Sequence, residues 1–97
     1  MSEGVVHSKE MGIGHKEFFR NIPRAMGDGD YTVNKDGVIL EEDGKSLTIS
    51  IAEETERRIA LIVLPVTQVT LTFKGYDDSD VTAFLEGFDR AFQRGGG

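Results

Sequence analysis

Apolar and polar positions change period twice along the chain, and each change marks a change of element. Between residues 15 and 26, Phe18, Phe19, Ile22, Ala25 and Met26 recur at three- and four-residue intervals, with Lys16, Glu17, Arg20 and Arg24 between them. This is the spacing of a helix with one apolar face. Pro23 lies inside it and deprives the Phe19 carbonyl of its helical donor, so the pattern predicts a kink or a restarted turn there, and Gly27 ends the helix.

From Tyr31 to Phe73 the period falls to two. Tyr31 and Val33 begin a short strand, residues 34–37 turn, and Val38 to Glu41 return. Residues 42–45 form a second turn around an Asp-Gly pair, which suits a tight hairpin. From Ser46 to Ala52, Leu47, Ile49 and Ile51 alternate with Ser46, Thr48 and Ser50, the mark of a strand with one wet face. Residues 53–56 turn again, and RRIALIVLPVTQVTLTF, residues 57–73, supplies two more strands broken near Pro65, which cannot donate to a ladder; residues 64–67 lack Gly or Asn, so a bent strand with a bulge is the alternative to a hairpin there.

That apolar stretch raises the functional question. Ile59, Leu61 and Val63 share the parity of Val69, Leu71 and Phe73, and are predicted to pack beneath Phe18, Phe19, Phe84 and Phe88. The opposite parity leaves Ala60, Ile62, Leu64 and Val66 as an apolar ridge on a sheet face otherwise made of Thr48, Thr70, Thr72 and serines. These seven residues, Ala60, Ile62, Leu64, Val66, Thr48, Thr70 and Thr72, are the candidate binding surface. Three covers suit it: the N-terminal arm or the first helix crossing that side within the monomer, a second copy of the chain, or a partner protein or apolar ligand.

Near the end, Val81, Phe84, Leu85, Phe88 and Phe92 form one helical stripe, with Asp77, Asp78, Ser79 and Asp80 at the N-terminus, where side-chain oxygens and negative charge suit free N–H groups. The predicted fold is α+β: a two-layer sandwich in which an antiparallel four- to five-stranded meander carries the N-terminal and C-terminal helices on one face, in the order αβββββα. Residues 1–12 are read as a flexible arm, 13–94 as a single domain and 95–97 as a glycine tail.

Composition narrows the function classes. Ninety-seven residues suffice for one core, and no cysteine is present to form a disulfide, a thiolate metal site or a thiol nucleophile. The net charge of −6 is local: residues 31–56 hold two lysines against seven carboxylates, a net −5. Nucleic-acid binding requires a basic footprint that this chain lacks. No apolar run approaches the roughly 20 residues that span a bilayer, and the start lacks the basic and apolar regions of a secretory signal, so the chain is read as soluble and cytoplasmic with no membrane partner.

No motif specifies a reaction or a cofactor. Gly44-Lys45-Ser46 ends like a phosphate-binding loop, but Ile39 stands where its first glycine is required; Gly12-Ile13-Gly14 continues with Glu17 where a dinucleotide fingerprint needs glycine. Asn34, Asp36 and Gly37 match part of a calcium loop, which then has Asp43 in place of the bidentate glutamate. Asp28, Asp30, Asp36, Glu41, Glu42 and Asp43 leave weak divalent-cation binding as an alternative, and His15 beside nearby acids leaves a small enzyme as another. The last residues, Arg94 to Gly97, resemble the glycine end of ubiquitin-like modifiers, but a helix rather than an extended strand leads into them, so the glycines are read as a helix stop. The plan of helix, antiparallel strands and helix also resembles the frataxin-type sandwich, which implies iron handling. That family carries acids on its first helix and a sheet tryptophan, both missing here, and no site residue is carried over. The expected function is a small binding module acting through the apolar ridge.

Overall fold

The computed structural model describes residues 4–27 and 29–92. The elements run β1 (Val5–Met11), α1 (His15–Met26), β2 (Tyr31–Asn34), β3 (Gly37–Glu42), β4 (Lys45–Ile51), β5 (Thr55–Ile59), β6 (Ile62–Lys74) and α2 (Asp78–Phe92). Together they make an α+β two-layer sandwich. Its antiparallel sheet has six strands among the described residues, in the order β1-β6-β4-β3-β2 with β5 also paired to β6.

Alternation fixes which face is buried. Leu40, Leu47 and Phe73 lie in one cross-strand row, and Val38, Ile49 and Leu71 in the next; all six are at most 9% exposed. Phe18, Ile22 and Met26 of α1 and Val81 and Phe88 of α2 close this face. Aromatic rings stitch the layers together, with Phe88 4.7 Å from Phe92, Phe92 5.6 Å from Phe18, and Phe84 5.7 Å from Phe73. Helix α1 continues past Pro23 to Met26 instead of restarting, and the proline ring is exposed.

Residues 5–11, expected to belong to a flexible arm, form β1 on the outer edge of β6, from Val5 opposite Phe73 to Met11 opposite Thr67. The signal was weak because two of the positions facing the helices are His7 and Lys9. Both are amphipathic enough for an edge: His7 meets the Phe73 ring edge-on at 6.2 Å, and Lys9 reaches Asp89 of α2 at 2.8 Å. Residues 1–3 and the tail at 95–97 lie outside the described residues.

The largest departure concerns residues 57–66. No turn occurs near Pro65; β6 runs unbroken through it for 13 residues, and the chain reverses at Ala60-Leu61. Ala52 donates to the Gln68 carbonyl at 3.0 Å, so even-numbered residues of β6 aim their backbone groups at β4 and β5, and odd-numbered ones at β1. Pro65 is odd, and its missing N–H therefore falls on the β1 side, where β5 loses nothing. The cost appears in β1, which stops at Met11 because the following hydrogen-bonded position would need a donor from Pro65. Thr67 supplies it instead: its buried Oγ1 donates to the Ile13 carbonyl at 2.8 Å.

β4 and β5 both run antiparallel to β6. Between the pairs Ile51 with Val69 and Thr55 with Val66, residues 52–54 oppose only 67 and 68, which makes a β-bulge. The start of α1 is fastened to this bulge. The Glu54 carboxylate accepts the His15 backbone N–H at 2.9 Å, and His15 Nε2–H donates to the Ala52 carbonyl at 2.7 Å. A Cβ at Gly14 would lie 2.8 Å from Glu54 Oε1, so a larger residue there would push this carboxylate aside.

Beyond the bulge, β5 and residues 62–66 leave the two-layer body as an arm. All of β5 is exposed, as are Ile62, Val63 and Leu64. The molecule is 48 Å along its longest axis, and its radius of gyration of 14.1 Å exceeds the roughly 12.5 Å of a compact chain of this length.

Thr67→Val is expected to destabilise the fold by about 1–3 kcal/mol by leaving the Ile13 carbonyl unpaired, as read from urea unfolding. Ala60→Gly, at a φ of 55° that strains a residue with a Cβ, is expected to stabilise by up to about 1 kcal/mol in the same assay.

Candidate functional site

The body positions two features at opposite ends of β6: the apolar arm at the Ile62 end, and a cleft at the Lys74 end. Among the described residues, five of the seven exposed large hydrophobic residues are on the arm: Ile59 at 53%, Leu61 at 100%, Ile62 at 57%, Val63 at 44% and Leu64 at 41%. The register places Ile59 opposite Ile62 and Arg57 opposite Leu64 on one face of the arm. That face continues the open side of the sheet, and Arg57 reaches along it to Glu10 of β1 at 2.6 Å.

The sequence-derived surface is therefore only partly assembled. Ile62, Leu64 and Val66 do point away from the helices, but they extend beyond the sheet instead of crossing it, and Ala60 sits in the turn. Thr48 and Thr72 are brought together as direct cross-strand neighbours, flanked by Val6 and Ile39 in one row; Thr70 lies in the next row, opposite Ser50. Ile59, Leu61 and Val63 are not core. Their parity argument fails because the two helices end over the body and cover no part of the arm, while the bulge shifts β5 by one residue. No turn residue marks Ala60-Leu61, so the hairpin was missed; the exposed Arg57-Arg58 pair beside an apolar run was the available signal.

The arm's free edges are guarded. Pro65 offers no N–H on one edge, and on the other the outward backbone groups belong to Glu56 and Arg58, devices that discourage further strand pairing. The faces and the tip remain available.

The cleft holds about 260 Å³ and is lined by Leu40, Leu47, Phe73 and Phe84, with Tyr76, Lys45, Glu42 and Asp80 around them. The Tyr76 hydroxyl is buried there without a hydrogen-bond partner among the described residues. Its ring packs edge-on to Phe73 at 6.0 Å, and Lys45 Nζ lies 5.5 Å from the ring centre. Burial, and secondarily the charges of Glu42 and Asp80, raise the Tyr76 pKa above 10.0. A wider groove of about 900 Å³ beside β1 and α2 is open and largely charged, and includes the Lys9–Asp89 pair.

The other candidates are engaged elsewhere or dispersed. His15 binds the bulge through both its backbone and its ring. Among the described residues no three His, Asp or Glu side chains converge on a metal position. Asp28 lies outside the described residues, and Asp36 and the Glu41–Asp43 group sit at opposite ends of β3. No described helix is long and apolar enough to cross a membrane. Comparison with protein-family models, curated proteins and solved structures finds no match.

Tyr76→Phe removes a buried hydroxyl that has no partner among the described residues and is expected to be neutral or to stabilise by about 1 kcal/mol, a rise in thermal midpoint of several degrees. Because the folded-state pKa is raised, the contribution of this group to stability is present in full below pH 10.0 and is lost as pH rises above it. Stability measured on alkaline titration is expected to fall less in Tyr76→Phe than in the parent.

Proposed function

We propose that the chain is a binding module whose docking element is the β5–β6 arm. One observation carries this reading: Ile59, Leu61, Ile62, Val63 and Leu64 are together on a two-stranded ribbon that neither helix covers. An isolated two-stranded hairpin is marginal in water, and clustered exposed apolar residues mark interaction sites. Burying each of these exposed aliphatic side chains on a partner is worth about 1 kcal/mol, and more for the fully exposed Leu61. Burial against protein at a face or at the tip suits the arm better than strand addition, since both edges are guarded.

The variant carrying Ile59→Ser, Ile62→Ser and Leu64→Ser is expected to keep its thermal midpoint within a few degrees, because the residues contact no core. It is expected to lose several-fold of the native-state fluorescence of a bound apolar dye. A midpoint lowered by tens of degrees, or unchanged dye binding, would show that the arm is a structural element and overturn the reading.

A further inference from the structure

Resting on that reading, we propose that the arm's partner is a second copy of this chain, joined head to tail: the tip at Leu61 enters the Tyr76 cleft of the next molecule. The two surfaces are complementary in chemistry. Leu61 is wholly exposed, and Arg58, two residues before the turn, has no ion-pair partner among the described residues. The cleft is apolar within and acidic at its rim, where Glu42 and Asp80 outnumber Lys45. At about 260 Å³ it is smaller than the usual 300–1,000 Å³ of a small-molecule site, a size suited to one or two aliphatic side chains.

Geometry and charge both favour the head-to-tail arrangement over a two-fold one. Arm and cleft lie at opposite ends of β6, so neither can reach its counterpart within one molecule. Pairing two arms by the face of Ile59, Ile62 and Leu64 about a two-fold axis would bring the Arg57 side chains, which lie on that face, toward one another, and like charges facing one another are destabilising. An arm in a cleft instead places Arg58 beside Glu42 and Asp80. Such a heterologous contact leaves one free arm and one free cleft, and therefore builds rings or open chains.

The test uses sedimentation velocity over a concentration series with two surface variants, Leu61→Asp in the arm and the pair Glu42→Arg with Asp80→Arg at the cleft. The parent is expected to grow in mass with concentration, and growth should weaken at high salt. Each variant alone is expected to be monomeric with an unchanged circular dichroism spectrum, and their mixture to form a 1:1 dimer, because each supplies the half the other lacks. A parent that stays monomeric at millimolar concentration overturns self-recognition while leaving the arm free to bind another protein. A cleft variant that self-associates like the parent, or a mixture that stays monomeric beside an associating parent, overturns the cleft as receptor. Failure of the arm as a docking element is read separately, from the serine variant above.

Discussion

One absent N–H, that of Pro65, organises the centre of this molecule. A proline in a strand is tolerated where its nitrogen faces no ladder, and β6 meets that condition only if β1 stops pairing at Met11. The chain then leaves the sheet through Gly12, and Thr67 holds the departing strand by its hydroxyl at the Ile13 carbonyl. This sets where α1 begins. The bulge at residues 52–54 receives that helix start through Glu54 and His15, so the end of an edge strand, the start of a helix and the kink of a hairpin share one junction.

Everything on the far side of that junction is outside the two-layer body. Fifteen residues of α2 and twelve of α1 are enough to cover β3, β4 and the lower half of β6, and their aromatic rings fill that space. The arm extends past both helices. Its hydrophobic side chains are therefore exposed by the length of β6 relative to the helices, not by any weakness in the packing of the core. The bulge adds to this, because its extra residue changes which side chains of β5 accompany each face of β6.

Polarity along the long axis follows from the same arrangement. The β3–β4 turn and the start of α2 gather carboxylates at the Lys74 end, where the latter also suit the helix dipole. The arm at the other end is apolar and carries Arg57 and Arg58. Arg57 is tied to Glu10, while Arg58 has no ion-pair partner among the described residues. A cleft whose tyrosine hydroxyl is buried without a partner among the described residues lies at the acidic end, so arm and cleft are separated by the length of the central strand.

Much of the body was legible from residue order. The helical stripe of Phe18, Ile22 and Met26, the alternation of Leu47, Ile49 and Ile51, the Asp43-Gly44 turn and the acidic start of α2 each depend on local periodicity or on the preference of a short segment, and the α+β sandwich follows from them. The arm did not declare itself in this way. Whether Ile59, Leu61 and Val63 are core or exposed depends on where the helices end over the sheet, which no alternation in the strand encodes. Val5 to Met11 became a strand because β6 presented an unpaired edge, and Ala60 turned the chain in a conformation its side chain disfavours because the flanking pairs over-determine it. Residue order thus decided the faces of the elements, through the geometry of side chains along a backbone. Tertiary structure alone decided which faces found a neighbour, because that is set by relative lengths and by the few backbone groups left without partners.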